Sequence, residues 1–173
     1  GGKHGPMALD AFENELGLDR FFESSLADVK YKGHTYGVPW RIDIRPMGYR
    51  QDLLAEAGFD KAPETWEDLV TYGQKLTKRN ADGRVERYGL ALRSNIDSQQ
   101  VLPWVWQAGG EIMSADGKIA QIDTPEMKEA MQFVRDLIYK YEIASPAIVD
   151  PSYVEVDEFK AGRAAIVDHV GAG

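Results

Sequence analysis

The most regular hydrophobic pattern along the chain lies between residues 124 and 141. Apolar side chains recur there at spacings of three and four residues, with charged side chains between them. This spacing gathers the apolar side chains on one face of an α-helix. Thr124 is suited to cap the helix and Pro125 to occupy its first position, so we predict that the helix begins there. The predicted buried face consists of Met127, Ala130, Met131, Val134, Leu137, Ile138 and Tyr141.

Shorter helices are predicted from their start and stop signals. Thr65 is followed three residues later by Asp68, a variant of the capping box, which predicts a helix as far as Leu76. A short helix over residues 50–57 is closed by Gly58 as a left-handed C-terminal residue. Less regular patterns predict further helical segments over 9–26 with a break at Gly17, 101–107 and 153–161.

Strands are predicted where apolar and β-branched runs are bounded by turn residues. Two hairpins are expected, over residues 30–40 and 111–122, each around a turn that contains glycine. Two buried strands are expected, over residues 88–92 and 163–168. Strands and helices mixed at this density predict an α/β or α+β domain in which helices cover the sheet.

Composition narrows the classes of function. The 173 residues suffice for one domain with a substantial core, and 43% of them are hydrophobic and 28% charged, as in folded globular proteins. The net charge is −8, and the carboxylates are spread along the chain. Because contacts to phosphates need clustered lysine and arginine, we expect no nucleic-acid partner.

Metal and cofactor sites find no support in the sequence. The chain has no cysteine, which excludes disulfides and thiolate metal sites. His4, His34 and His169 are scattered and lack the close spacing of zinc ligands. The first six residues also lack the apolar stretch of a secretory signal. We therefore expect no metal, no cofactor and no signal segment in this chain.

The most unusual polar pattern covers residues 39–45. An extended alternation there places Asp43 and Arg45 on one face of a strand and Trp40 on the other. A carboxylate and a guanidinium at this distance can together bind a vicinal diol. They can equally form a surface ion pair with each other, which would contribute little to stability.

Tryptophans and a polar run supply further candidates. Trp40, Trp104 and Trp106 lie near loops or helix ends, where an aromatic face could stack on a pyranose ring, but burial in the core explains them equally well. Trp66, in the first turn after a cap, is expected to pack. Residues 94–100 form a polar run that precedes a helix and suits either a polyhydroxyl ligand or a helix cap.

No catalytic motif is present in the sequence. It contains no G-x-S-x-G elbow, no phosphate-binding loop and no H-E-x-x-H motif. Asp43 could pair with Asp97 or Asp168 as the two carboxylates of a glycoside hydrolase. A glycoside hydrolase with this pair is the enzymatic alternative to a binding protein. A third hypothesis is a scaffold lobe or signalling adaptor that binds no ligand.

Five segments, in their order and spacing, resemble the bacterial carbohydrate-binding proteins of ABC importers, the maltose-binding-like branch of the periplasmic binding proteins. They include a proline-threonine-tryptophan-acid helix start and a tryptophan-glutamine-alanine-glycine-glycine run. The segments are residues 32–40, 43–54, 62–69, 106–111 and 159–165.

This resemblance implies two α/β lobes joined by crossing strands, with the ligand in the cleft between them and closure by hinge bending. Residues 1–38 would form the end of the first lobe and the hairpin that enters the hinge. Residues 39–173 would form a truncated second lobe, a mixed sheet flanked by helices. A single lobe offers about half of the cleft, so we expect reduced affinity.

The function that the resemblance implies is the non-enzymatic capture of a mono- or oligosaccharide for an ABC permease in the membrane, in the periplasm or outside the cell. It places an acidic sugar contact at Asp43, and other contacts near the cleft. The expected ligand-binding residues are Asp43, Arg45, Trp40, Asp97, Gln99 and Trp106.

Two further expectations follow from the same resemblance. Some proteins of this architecture bind polyamines, for which Asp43 is suited, although Arg45 disfavours a cation. A single lobe also leaves an apolar surface uncovered on the side that faces the hinge, so we expect that the chain forms a homodimer through this surface.

Overall fold

The computed structural model describes residues 5–41, 44–94 and 98–170, apart from the side chains of Ser98 and Gln99. The chain divides after Ile44 into two compact units.

The first unit contains short helices and one hairpin. The left-handed residue Gly17 separates its helical turns, as predicted. Lys32 and Gly33 have φ values of 50° and 83°, which form the tight turn of the predicted hairpin. Both predictions are confirmed. The elements are α1 (Glu13–Leu16), α2 (Glu23–Asp28), 3-10 turns at Asp10–Phe12 and Leu18–Arg20, and the antiparallel strands β1 (Lys30–Tyr31) and β2 (His34–Thr35).

Thr35 ties this hairpin to the preceding helical turns. Its side chain is fully buried. Its backbone N–H donates to Asp10 Oδ1 at 3.0 Å, and its hydroxyl donates to Glu13 Oε1 at 2.9 Å. The Thr35 N–H bond, followed by the one to His34, lowers the pKa of the Asp10 carboxyl. These polar contacts organise a unit that has few buried apolar residues.

The second unit is built on a mixed sheet of four strands in the order β3-β6-β5-β4. Strand β6 lies parallel to β5 and antiparallel to β3, and β4 is antiparallel to β5. Every residue of β6 is buried, as are the last three residues of β5. The strands are β3 (Gly48–Tyr49), β4 (Lys78–Arg79), β5 (Val85–Ala91) and β6 (Ala164–Val167).

Helices pack against this sheet, so the predicted α/β class is confirmed. Thr65 and Asp68 form the predicted capping box, and the Thr124 side chain accepts from the backbone N–H of Met127. Within the described ranges, no helix is both long and apolar enough to span a membrane. The helices are α3 (Gln51–Glu56), α4 (Trp66–Leu76), α5 (Ser98–Gln107), α6 (Pro125–Tyr139) and α7 (Glu155–Lys160), with a 3-10 turn at Pro146–Val149.

Three strand predictions need correction. The strand predicted from Tyr88 begins at Val85, because it pairs with β4 across a tight turn. The hairpin over 111–122 is reduced to a single bridge between Met113 and Ala120. Ile112 packs partly against the core, but Ile119 and Ile122 in the second arm are both 65% exposed, so this arm has no buried face to stabilise a longer strand.

The third correction concerns the extended alternation predicted over residues 39–45. Residues 42 and 43 lie outside the described residues, and residues 39–41, 44 and 45 belong to no strand. The strand β3 begins only at Gly48, where pairing with β6 becomes available. Arg45 therefore enters the second unit on irregular backbone.

A pair of glycines brings α4 and β5 into close contact. A Cβ atom on Gly89 would lie 2.2 Å from the carbonyl oxygen of Gly73. The Thr77 hydroxyl bridges the two elements, since it donates to Gly73 O at 2.7 Å and accepts from Gly89 N at 3.0 Å. The helix can approach the sheet this closely only because position 89 has no side chain.

We predict that Gly89→Ala destabilises the protein by about 1–3 kcal/mol, because the new methyl group would overlap backbone atoms rather than a movable side chain. Chemical denaturation measures the free energy of unfolding. Gly5→Ala is the control, since a Cβ there has no neighbour within 4 Å. Equal stability of the two variants would contradict the close-approach argument.

Candidate functional site

The parallel strands β5 and β6 end at the same edge of the sheet, and polar residues follow both. The Asp168 backbone N–H donates to Ala91 O at 3.0 Å. The Arg93 backbone N–H in turn donates to Asp168 Oδ1 at 3.0 Å. In sheets with parallel strands, ligands bind beyond the carboxyl ends of the strands. This edge is therefore the expected position of a ligand site.

Buried charged side chains surround His169 at this edge. The side chains of Asp168, Glu155 and His169 are only 6%, 10% and 12% exposed. Arg93 Nη1 lies 3.1 Å from His169 Nε2. A guanidinium has only donors, so Nε2 accepts this bond. The other ring nitrogen, Nδ1, lies 3.5 Å from Asp168 Oδ1 and 3.9 Å from Glu155 Oε1.

Glu155 connects the first residue of α7 to the segment after β5. Its Oε2 atom accepts from the Ser94 backbone N–H at 3.2 Å and from the Ser94 hydroxyl at 3.3 Å. A buried carboxylate needs such donors to offset the loss of water. The contacts hold α7 against the end of the sheet.

Burial raises the pKa of the Asp168 carboxyl above its ordinary value, and the nearby His169 ring and the hydrogen bond from the Arg93 backbone act in the opposite direction. A raised pKa means that the folded protein disfavours the charged form of this group. Asp168 is thus a carboxylate held in place at a cost in stability.

A pocket with a volume of about 100 Å³ opens beside Asp168 and His169. Ligand pockets commonly measure about 300–1,000 Å³, so this one can hold only part of a ligand. Its lining contains hydrogen-bond donors, acceptors and apolar surface. The lining residues are Arg45, Met47, Gln100, Pro103, Trp104, Gln107, Asp168 and His169.

Helix α5 supplies half of this lining from one face. Gln100 is buried, and its Nε2 donates to Arg93 O at 2.7 Å. Gln107 Oε1 accepts from Trp66 Nε1 at 2.8 Å. The spacing of the four lining residues, at positions 100, 103, 104 and 107, is that of a single helix face.

Comparison with known proteins identifies the family of this chain. The family model described as bacterial extracellular solute-binding protein matches residues 6–169. The chain belongs to this family. Its members are solute-binding proteins, which are not enzymes. The family resemblance seen in the sequence motifs is confirmed.

Individual relatives are carbohydrate-binding proteins by name or by bound ligand. An arabinooligosaccharide-binding protein of Halalkalibacterium halodurans is 32% identical over 131 residues, which are 73% of this chain and 27% of the relative. The maltose-bound structure of T. maritima MalE3 is 30% identical with a TM-score of 0.78, and the match covers 96% of this chain and 42% of that one.

A third relative is an ABC transporter solute-binding protein from Thermotoga lettingae TMO with bound α-D-tagatose. It is 27% identical with a TM-score of 0.75, and the match covers 92% of this chain and 42% of that one. The chain thus spans less than half the length of these relatives.

The residues predicted as ligand contacts fall in different places. Arg45 lines the pocket. Trp106 is 51% exposed and lies outside the lining, and Trp40, in the first unit, is 96% exposed. Asp43 and Asp97 lie outside the described residues, as does the side chain of Gln99.

Gln107 and His169 line the pocket, although the sequence indicated neither as a ligand contact. Gln100 belongs to the polar run that suits a polyhydroxyl ligand, Trp104 was a candidate for stacking on a sugar ring, and Asp168 was considered only as a catalytic carboxylate. The helical spacing of polar positions 100 and 107 was the available signal for the glutamines. For His169 the local sequence shows only the neighbouring Asp168, because Arg93 and Glu155 are distant in sequence.

The structure also decides the role of two tryptophans. Trp104 is 4% exposed and belongs to the core, although one edge lines the pocket. Trp66 stacks on Phe133 with a centroid distance of 4.1 Å, as expected for a packing residue.

A larger concavity, of about 280 Å³, lies at the opposite end of β5, where Val85 and Tyr88 form part of its wall. An ion pair between Arg79 and Glu142 lies at its edge. This concavity lies at the amino end of β5, away from the edge where β5 and β6 end together. We therefore assign the candidate site to the smaller pocket.

Asp168→Asn is predicted to remove a pH-dependent loss of stability. A raised pKa in the folded state gives stability below the unfolded pKa of about 3.9, which is lost as pH rises through the folded value. Asparagine cannot ionise, yet its oxygen can still accept from Arg93. The free energy of unfolding of the variant, relative to that of the wild type, should therefore increase as the pH rises from 4 to 7.

Urea denaturation across this pH range measures the difference. Asp150→Asn is the control of opposite sign, because hydrogen bonds from Ser152 lower the pKa of Asp150. If the free energies of unfolding of Asp168→Asn and the wild type differ by the same amount at every pH, the raised pKa of Asp168 is contradicted.

Proposed function

We propose that this chain is part of the sugar-binding component of an ABC importer and that it holds a mono- or oligosaccharide without chemical change. The observation that carries the proposal is the pocket where β5 and β6 end, in a chain of the solute-binding family. Arginine, glutamine and a carboxylate converge there. Such a mixture suits hydroxyl groups, which both donate and accept.

The relatives support a carbohydrate as the class of ligand. Proteins named or crystallised with arabinooligosaccharide, maltose and tagatose share this fold at 27–32% identity. Arg45 and Asp168 bring side chains of opposite charge to the pocket, which suits a neutral ligand better than a polyamine. A neutral sugar requires no net charge from the protein.

In this proposal, Arg45 and Gln107 donate to sugar oxygens, and Asp168 accepts from a hydroxyl group. Asp43, Trp40, Asp97, Gln99 and Trp106 remain proposed contacts through the family resemblance. The pocket volume accommodates one part of a sugar. The remaining contacts would come from elsewhere in the cleft.

The proposal extends to the organisation of the complete protein. Residues 1–38 would complete the first lobe and enter the hinge, and residues 39–173 would belong to the second lobe. The sugar-loaded protein would deliver its ligand to a membrane permease from the periplasm or the cell exterior, and so associate with the membrane through the transporter.

Self-association through the hinge-facing apolar surface is a separate part of the proposal. Trp40 and Ile44 are 96% and 62% exposed, as a surface that binds a second copy requires. Sedimentation velocity at rising protein concentration tests it. A purely monomeric protein would contradict this part and leave sugar binding unaffected.

We predict that Arg45→Ala weakens sugar binding by about ten-fold or more, since hydrogen bonds from a charged donor contribute about 1.5–3 kcal/mol. Isothermal titration calorimetry with maltose, D-tagatose, ribitol and an arabinose trisaccharide measures the affinity. Arg84→Ala is the matched control, because Arg84 is exposed in the turn between β4 and β5.

Unchanged affinity in Arg45→Ala would place the sugar elsewhere. If the wild type binds none of the four sugars at millimolar concentration, the proposed function of the chain is wrong.

A further inference from the structure

The orientation of Gln107 is fixed from outside the pocket. Its Oε1 atom accepts from Trp66 Nε1 at 2.8 Å, across 41 residues of sequence. An indole nitrogen can only donate, so the carboxamide cannot reverse its two ends without losing this bond. The bond therefore fixes which end of the carboxamide carries the donors, and Nε2 has two N–H groups that can donate to a ligand in the pocket that Gln107 lines.

Trp66 is itself held in one position. Its ring stacks on Phe133 with an interplanar angle of 6°, and it packs against Trp104 with the centroids 6.1 Å apart. It is also the first residue of α4, directly after the capping residue Thr65. Rotation of the indole away from Gln107 would break the aromatic stack.

The hydrogen-bond donors proposed for the pocket, Arg45 and Gln107, do not belong to the ends of β5 and β6. The Arg45 guanidinium has only donors, and the bond from Trp66 to Gln107 Oε1 fixes Nε2 as the donor end of that side chain. Asp168, at the end of β6, is an acceptor when ionised. A bound molecule that reaches Gln107 must therefore offer an acceptor atom.

We propose that Trp66 is a positioning residue that fixes Gln107, so that the pocket selects a ligand with a hydroxyl or ring oxygen at Gln107 Nε2. The inference rests on the proposed function, because it assigns one contact within the proposed sugar site. It gives Trp66 a role in specificity in addition to its packing.

A double-mutant cycle on sugar affinity tests this inference. Trp66→Phe keeps an aromatic ring against Phe133 and removes the N–H donor. Gln107→Met keeps the length of the side chain and removes its polar atoms. The cycle is measured by calorimetry with maltose, D-tagatose, ribitol and an arabinose trisaccharide, and thermal unfolding of each variant is recorded in parallel.

We expect each single variant to weaken binding by about three- to ten-fold, the usual effect of one neutral hydrogen bond. The double variant should bind as weakly as Gln107→Met and no more weakly, because Trp66 acts only through Gln107.

Two results would overturn the inference while leaving the proposed function intact. If Trp66→Phe weakens sugar binding equally in the wild type and in Gln107→Met, Trp66 acts through packing and not through Gln107. Wild-type affinity in Gln107→Met would mean that Nε2 does not contact the sugar, and this result decides the matter even if Trp66→Phe does not fold. A wild type that binds none of the four sugars contradicts the proposed function and the inference with it.

Discussion

The parallel pairing of β5 with β6 is the constraint on which the candidate site depends. It aligns the ends of two strands that are more than 70 residues apart, so that Arg93 and Asp168 meet through a backbone-to-carboxylate hydrogen bond. Both strands are buried at this end, where Leu90, Leu92 and Ile166 are 0% exposed. A slip in register by one residue would turn Asp168 into the core.

Two buried carboxylates lie close to His169 at this edge. Asp168 and Glu155 are almost completely covered, and each accepts from a backbone N–H group. Replacement of such a network by apolar residues is often neutral or stabilising in proteins. Its presence beside a pocket, rather than within the core, agrees with a role in recognition.

Local signals in the sequence predicted the helices well and the site poorly. The capping residues Thr65 and Thr124 act through neighbours three residues away, so their effect is visible in the sequence. The short strand β4 has two exposed residues and no hydrophobic pattern, and it exists because β5 pairs with it. That pairing is a tertiary effect.

The candidate site shows the same limit. Arg45 was predicted from an alternation whose described residues belong to no strand, yet it lines the pocket. Gln107 and His169 come from α5 and from the end of β6, and only the folded sheet brings them together. The resemblance to sugar-binding proteins predicted the family, whereas the lining of the pocket required the structure.

The central claim is that sugar binds where β5 and β6 end. The most direct test is to add maltose or D-tagatose to ¹⁵N-labelled protein and to map the amide chemical shifts. We predict that the perturbed amides cluster at residues 45–47, 92–94, 100–107 and 168–169. A cluster around Arg79, Val85 and Glu142, at the other end of β5, would contradict the claim.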